Sequence, residues 1–398
     1  MQEAENLINE ATWQFVRAHA GDDVRTLALR ASANPDVDMH KALHQIAGRQ
    51  MARSKLPSWA ARDGIIYPPH LSMEQCSSQT TAEYKARLVM GDTMADLTGG
   101  FGVDFAFMAA KCHHATYVER QEHLCQIVGH NLAILGLRQC RVVQAHAEDY
   151  LRDMPAVDTL YIDPARRDAQ GGRVVALSDC TPDVTQLAPL MLTKARRVII
   201  KLSPMLDVHK AVTSLPSVSQ VHIVSVKNEC KELLLILDHD HKGAYEVSCV
   251  NDDQHFVFDA GTPAPALSYW NENQSEAAYL YEPNASVMKA GCHGLLAARF
   301  GLVAVGPNSH LFVSSRPVHN FPGRRFVIAG ITTMNKKELR VALQGLSRAN
   351  VAVRNFPMKA PELARRLRLQ DGGDAFIFGT TTASGRHILV LCHRNFAR

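Results

Sequence analysis

The sequence predicts an α/β protein whose centre is a doubly wound, mostly parallel sheet closed by one antiparallel strand. Three observations carry this. Between residues 76 and 240, short runs rich in Val, Ile and Leu alternate five times with amphipathic stretches at helical spacing. Two further apolar runs, "VHIVSV" and "ELLLILD", are then separated only by "KNECK", which is too short for a parallel crossover and suits a hairpin. Finally, the glycine-rich "DLTGGFGVD" follows the first run and leads straight into a helix, the place where open α/β sheets hold ligands.

Taken in order, residues 1–75 read as helical. Apolar positions recur at spacings of three and four in "ENLINEATWQFVRAHA" and again in "MHKALHQIAGRQMARS". The prolines of "KLPSWAARDGIIYPPH" then break the pattern into an extended crossing segment, so a helical lid or docking domain is expected. The expected strands of 76–240 are "TMADLT", "ATYVER", "RVVQAH", "DTLYID", "RRVIIKLS", "VHIVSV" and "ELLLILD", with helices at 103–111, 121–136, 147–153, 181–195 and 206–214. In the second of these helices Leu124, Val128, Leu132 and Leu135 fall on one face, as a helix lying on a sheet requires. Residues 241–268 read as a turn-rich connector with a hairpin tip at "VNDDQH" and a breaker at "GTPAPA". The region 269–398 is a small α+β domain. Its last part reads "RRFVIAG", helix 335–348, "VAVRNF", helix 360–369, "DAFIFGT" and "HILVLCH", the order of a split β-α-β sandwich.

Composition narrows the class without naming a function. With 398 residues, 46% apolar and 21% charged, the chain is expected to fold into two or three globular domains and not to be disordered. No apolar run reaches the ~18 residues of a bilayer span, and "MQEAENLINE" lacks the basic flank and apolar centre of a signal peptide. The nine cysteines are scattered singly, so a reduced, cytoplasmic protein without structural zinc is expected, and no catalytic metal. The net charge of +4 is unevenly spread: from Arg316 onward there are fifteen Lys or Arg against four Asp or Glu. A basic module of this kind suits a polyanion such as nucleic acid, or is simply a solvated face.

The glycine-rich turn carries the strongest chemical signal. Asp96 leads into Thr98, Gly100 and Gly102, and such a turn lets the backbone and the free N–H groups of a helix start approach a ligand. Asp96 is placed to bind an ammonium or a water. Glu119 ends the second strand, 23 residues after Asp96, where an acid can accept both hydroxyls of a ribose. The pair marks an adenosine-containing cofactor. The dinucleotide spacing Gly-x-Gly-x-x-Gly is absent, no Gly-Lys-Ser/Thr follows, and the antiparallel last strand favours S-adenosylmethionine.

Residues 74–167 resemble class I S-adenosylmethionine-dependent methyltransferases, in particular those acting on RNA amino groups, such as trimethylguanosine synthase. The whole chain resembles a bacterial group in which that domain carries a THUMP-like C-terminal module. The stretches concerned are "YPPHLSMEQCSSQTTAEYKARLV", "DLTGGFGVD", "DPARR", "KLSPMLD", "KNECKELL", "EPNASVMKAG", "NVAVRNFP" and "DGGDAFIFGT". The resemblance implies a Rossmann-like seven-stranded methyltransferase core (76–240), a helical N-terminal domain (1–75), a connector (241–268) and a basic ferredoxin-like/THUMP-like domain (269–398).

It also implies that Asp96, Thr98, Gly100 and Gly102 hold the methionine half of the cofactor and Glu119 its ribose. His146, in "AHA" before Ala147, stands where such enzymes often place an acid at the adenine; it reads equally as a surface histidine opening a helix. Gln75, Ser77, Ser78 and Thr80 resemble the segment that closes over the methionine carboxylate, and they also read as a helix N-cap. "YIDPAR" resembles the Asp-Pro-Pro-Tyr loop of amino-group methyltransferases, with Ala165 and Arg166 in place of the second proline and the aromatic ring. Asp163 and the Pro164 carbonyl can accept hydrogen bonds from an exocyclic amine. Arg166 can stack on a base or grip phosphate, or, with Arg167, it only pairs with acids at the sheet edge. Lys201 and Ser203 end the fifth strand near the substrate mouth. A carbon-methylating route would need a nucleophilic cysteine, for which Cys180 and Cys230 are the candidates. The expected activity is methylation of guanine N2 or adenine N6 in tRNA or rRNA. The alternatives are a small-molecule or protein methyltransferase and a non-catalytic RNA-binding protein.

Overall fold

The computed structural model describes residues 7–29, 35–166, 177–271 and 276–394. The chain divides into two compact units, one of residues 1–221 and 232–243, the other of 222–231 and 244–398. No helix among the described residues is long and apolar enough to cross a membrane.

In the first unit the sheet is built from β1 (Thr93–Asp96), β2 (His114–Glu119), β3 (Cys140–Gln144), β4 (Val157–Ile162), β5 (Ala195–Leu202) and the proximal parts of β6 (Val218–Val226) and β7 (Glu229–Asp238). Their order is β3-β2-β1-β4-β5-β7-β6. β1 to β5 run parallel and β7 is antiparallel to β5, as the short link between the last two apolar runs requires. Leu233 to Leu237 and Val198 to Ile200 are fully buried, which is why these strands read as continuous apolar runs and do not alternate. The helix Glu122–Leu135 buries Leu124, Val128 and Leu132 and stops at Gly136, whose φ of 79° is the left-handed cap a glycine allows.

The N-terminal helices, among them Glu10–Ala18 and Met39–Lys55, do not pack only on one another. Ala52, Leu56, Trp59, Ile65 and Ile66 share one hydrophobic core with Phe101, Phe105 and Tyr117 of the sheet layer. The extended segment between them is buried with no strand beside it, so two side-chain amides take over the pairing. Gln45 exchanges hydrogen bonds with the Tyr67 backbone (2.8 and 2.9 Å), and Asn131 does the same for Ile66 (2.9 and 2.8 Å).

In the second unit the distal part of the β6–β7 hairpin is followed by β8 (Glu246–Asn251) and β9 (Gln254–Asp259), so the segment expected as a connector contains a regular hairpin whose turn lies at 252–253. A separate seven-stranded sheet uses β10 (Tyr279–Pro283), β11 (Val303–Ala304), β12 (Phe312–Ser314), β13 (Gly323–Thr332), β14 (Asn350–Arg354), β15 (Ala375–Thr381) and β16 (His387–His393), in the order β11-β12-β10-β13-β16-β15-β14. From β13 onward the element order is the expected β-α-β-α-β-β, with helices Lys336–Ala342 and Ala360–Leu367. The acid Glu282, 3% exposed at its side chain, is neutralised by Arg324 and Arg354.

Candidate active site

The site is built at the C-terminal ends of β1, β2 and β4. β1 ends on Asp96, which is 1% exposed and accepts the Thr98 N–H at 2.9 Å. The chain then turns over the ring of Tyr117. A Cβ on Gly99 would lie 2.0 Å from that ring, and Gly100 and Gly102 adopt φ of 52° and 77°. Gly102 is the N-cap of the helix Val103–Ala109, so the turn aims the start of that helix at the space above the sheet. Glu119 closes the turn from β2: its carboxylate accepts the Gly100 N–H at 3.1 Å and the Gln121 N–H at 2.9 Å. The loop after β4 is tied to the same turn, because the Asp163 N–H donates to the Thr98 hydroxyl at 2.6 Å.

These groups surround one cavity of about 540 Å³. Of the residues singled out in the sequence, Gln75, Ser77, Asp96, Thr98, Gly100, Gly102, Glu119, His146, Ala147, Asp163 and Lys201 line it. Pro164 is buried beside it without lining it, whereas Ala165 does line it. The side chain of Arg166, and all of Arg167, lie outside the described residues. The backbone of 165–166 pairs with Cys180–Thr181, which brings Thr181 and Pro182 into the wall. Cys180 itself is 3% exposed and is not part of that wall, and Cys230 belongs to the second unit. His146 is an exposed residue at the N-cap of the helix Ala147–Asp153 and makes no side-chain cap. Ser78 is the N-cap of the helix Gln79–Ala86, accepting the Thr81 N–H at 3.3 Å. The Ser203 hydroxyl accepts the Met205 N–H at 3.3 Å within its own loop.

Running from the core into the cavity wall is a row of charges that sequence patterning does not show. Lys85, fully buried, donates to both oxygens of Glu232 (2.6 and 2.7 Å) and lies 3.2 Å from Asp104 Oδ1. Asp104 Oδ2 accepts from the Ser77 and Tyr161 hydroxyls, each at 2.8 Å, and sits 3.5 Å from Lys201 Nζ. Lys201 in turn donates to Asp163 Oδ2 at 2.6 Å. The Ser77 hydroxyl, expected to reach the cofactor carboxylate, is thus engaged by Asp104 and by Lys85 at 3.2 Å. Lys201, expected near the substrate mouth, lines the cavity and is held by two carboxylates.

The electrostatics follow from this wiring. Burial, together with the nearby charges of Asp104, Asp163 and Glu119, pushes the Asp96 carboxyl well above the usual aspartate value, against the hydrogen bond from Thr98. Burial would pull the Lys201 ammonium down, but Asp163, Asp104 and Glu232 outweigh it and hold it above the usual lysine value. Burial also opposes the charge of Asp104, and Lys85, Lys201 and the two hydroxyls overcome it, so its carboxyl is held below the usual range.

The donor set fits S-adenosylmethionine. Asp96 is a buried acid with no ion-pair partner among the described residues, a natural seat for a cationic group. Glu119 offers a carboxylate at the strand end for ribose hydroxyls. The cavity volume lies within the ~300–1,000 Å³ usual for small-molecule sites.

Comparison with known proteins agrees. The crystal structure of a protein from Porphyromonas gingivalis W83 assigned as a methyltransferase superposes with a TM-score of 0.87 at 30% identity, over 97% of this chain and 98% of that one. Uncharacterised S-adenosylmethionine-dependent methyltransferases from two strains of Mycobacterium tuberculosis are each 24% identical over 334 residues, 79% of this chain and 84% of theirs. Family profiles match a ferredoxin-like domain at residues 279–322 and a THUMP-like domain at 323–394. The cavity, the sheet above which it opens and these relatives converge: the chain belongs to the S-adenosylmethionine-dependent methyltransferases that carry a THUMP-like C-terminal domain, and S-adenosylmethionine is its cofactor.

Proposed function

We propose that this enzyme methylates an exocyclic amino group of a nucleobase in structured RNA, a tRNA or rRNA, with guanine N2 the first choice and adenine N6 the second. The observation that carries this is Asp163, a carboxylate at the end of β4 that shares one cavity with Asp96 and Glu119. An exocyclic amine is a poor nucleophile because its lone pair is delocalised into the ring. A carboxylate and a backbone carbonyl that accept its N–H bonds localise that lone pair and fix its direction. Asp163 and the Pro164 carbonyl are assigned this role, and Arg166 the stacking or phosphate contact that an aromatic ring supplies elsewhere.

When bound, S-adenosylmethionine supplies a methyl carbon on a positively charged sulfur, which takes the electron pair of the breaking C–S bond. Glu119 would hold the ribose, Asp96 the methionine ammonium, the Gly100 and Gly102 turn the methionine backbone, Gln75 the closing segment, and His146 with Ala147 the adenine edge. The acceptor nitrogen forms the new N–C bond and gives up one proton, which the Asp163 carboxylate is assigned to accept. Rate then comes mainly from positioning two bound reactants, since the methyl group needs no further activation. Catalysis is assigned to residues 76–240 and RNA capture to 269–398. The THUMP-like match and the fifteen basic residues after position 315 support the second assignment.

The test is tritiated methyl transfer from S-adenosylmethionine to bulk RNA, followed by identification of the labelled nucleoside, for the wild type and Asp163→Ala. Label in N2-methylguanosine or N6-methyladenosine, lost in the variant, is expected. Label only in protein or small molecules overturns the RNA reading, and label on a ring carbon overturns the amine reading.

A further inference from the structure

Five charged groups form an alternating row that ends in the cavity wall: Glu232 on β7, Lys85 on the helix Gln79–Ala86, Asp104 on the helix Val103–Ala109, Lys201 on β5 and Asp163 after β4, the last three lining the cavity. Each ammonium lies between two carboxylates, and no two charges of the same sign are consecutive. The row also runs from dry to wet. Side-chain exposure is 3% at Glu232, 0% at Lys85, 10% at Asp104 and 15% at Lys201, and it reaches 38% only at Asp163. Such a row carries one surplus negative charge, and its only substantially exposed carboxylate lines the cavity.

We propose that Lys201 is a positioning residue for methyl transfer: anchored by Asp104, its ammonium fixes the Asp163 carboxylate so that it meets the acceptor in one orientation. This rests on the assignment of Asp163 to the acceptor amine. Two contacts define the geometry. The Asp163 backbone is held at Thr98 Oγ1, 2.6 Å away, and its carboxylate at Lys201 Nζ, also 2.6 Å away. Lys201 projects from a parallel strand in the sheet interior, so the carboxylate of a loop residue is referred to the sheet itself and not to loop packing.

The chemistry calls for such a device. As the methyl group crosses, positive charge passes from sulfur to the acceptor nitrogen, and a fixed carboxylate beside that nitrogen stabilises the charge as it develops. An unsupported aspartate at a loop end would turn among its rotamers and lose that fixed orientation. The titratable groups acting on Lys201 are Asp163, Asp104, Glu232 and Cys76, and behind them Tyr161, Asp96 and Lys85 act on Asp104. Among them Lys85 is already committed to Glu232 and Asp104, which leaves Lys201 to serve Asp163.

The full-length enzyme is compared with Lys201→Met and Lys201→Arg in methyl transfer from S-adenosylmethionine to a total cell extract, with label counted in RNA, protein and small-molecule fractions. Cofactor affinity is measured separately by calorimetry. Expected for Lys201→Met are unchanged cofactor affinity, a fall in kcat of about 100-fold, the scale of a misplaced reacting group, and an acid limb of the kcat–pH profile moved to higher pH. Lys201→Arg, which keeps the charge, should return the limb toward the wild-type position. If Lys201→Met does not fold, Lys201→Gln takes its place, with the same expectation for the limb. Wild-type kcat and an unmoved limb in the uncharged variant overturn the proposal, as does a parallel loss of cofactor affinity that arginine does not restore. Wild-type label in protein or small molecules overturns the RNA reading alone, since the three enzymes are then compared on that label. No transfer to any fraction overturns both.

Discussion

Removing Lys85 should destabilise the first unit in a way that depends on pH. The side chain is fully buried and holds both Glu232 oxygens at 2.6 and 2.7 Å. In Lys85→Met, Asp104 keeps Lys201, Ser77 and Tyr161, so the uncompensated charge is that of Glu232, itself 2% exposed. Breaking a buried pair from one side costs about 3–5 kcal/mol. The carboxyl can relieve part of this by taking a proton. Burial already raises the Glu232 carboxyl above its usual value of 4.5 even with Lys85 present, and removing the ammonium raises it further. A carboxyl with a raised folded value keeps its proton in the folded state after the unfolded chain has lost it. Stability therefore falls as pH rises from about 4.5 through the folded value, by at most about 1.4 kcal/mol per pH unit. Between pH 6 and 8 the variant should lose up to about 2.7 kcal/mol more than the wild type does. Urea titrations at the two pH values, followed by tryptophan fluorescence in a Trp270→Phe background, report the first unit through Trp13 and Trp59. The double variant Lys85→Met/Glu232→Met should recover most of the loss, because removing both partners is often neutral. A single variant within about 1 kcal/mol of wild type at both pH values would refute the reasoning, since no buried uncompensated carboxylate behaves that way.

Four further outcomes are expected. Glu119→Ala should weaken S-adenosylmethionine binding by about 1.5–3 kcal/mol, roughly 10- to 150-fold by calorimetry; unchanged affinity would remove Glu119 from the cofactor site. Because burial raises the Asp96 carboxyl, a cationic ligand should drive its ionisation, so binding strengthens as pH rises and releases a proton. Calorimetry in buffers of different ionisation enthalpy measures that proton, and Asp96→Asn should abolish it. Gly99→Ala places a Cβ 2.0 Å from the Tyr117 ring and should cost about 1–3 kcal/mol in unfolding experiments. A cut near residue 315 would strip β13 from its partner β10, so RNA affinity is better tested by charge reversal. Reversing the exposed Arg365, Arg366 and Arg368 should lower the salt dependence of RNA binding by about one unit of slope for each phosphate the variant no longer neutralises.

The catalytic sheet was legible because its signals are local. β5 and β7 are apolar throughout since both their faces are covered, and the helix Glu122–Leu135 carries its own stripe and its own terminal glycine. Residues 269–322 gave no comparable pattern. There β11 has two residues and β12 three, too short for a period to show, and they are defined by pairing, β12 with β10 and β11 with β12. The same contrast holds within the site. Asp96, Gly100, Gly102 and Glu119 lie within two dozen residues and declare themselves by spacing. Gly99 stood in the same motif, but its requirement comes from the Tyr117 ring beneath it. Lys85 and Glu232 are 147 residues apart, and each stood inside a recognisable motif with nothing to show its partner. The partners of the Ser77 hydroxyl, Asp104 and Lys85, and of the Lys201 ammonium, Asp104 and Asp163, were hidden for that reason: a residue type shows what it can bond, and only the fold shows what it does bond.

Thr98 has a consequence beyond either of its hydrogen bonds. Its N–H donates to Asp96, which we assign to the cofactor, while its hydroxyl accepts from the Asp163 N–H, on the loop we assign to the methyl acceptor. On those assignments, the gap a methyl group must cross is gauged by a single side chain a few ångströms long. In this chain the two loops are not free to drift separately: an insertion in one that lengthened this span would have to be matched in the other, and serine at position 98 would keep the hydroxyl that sets it.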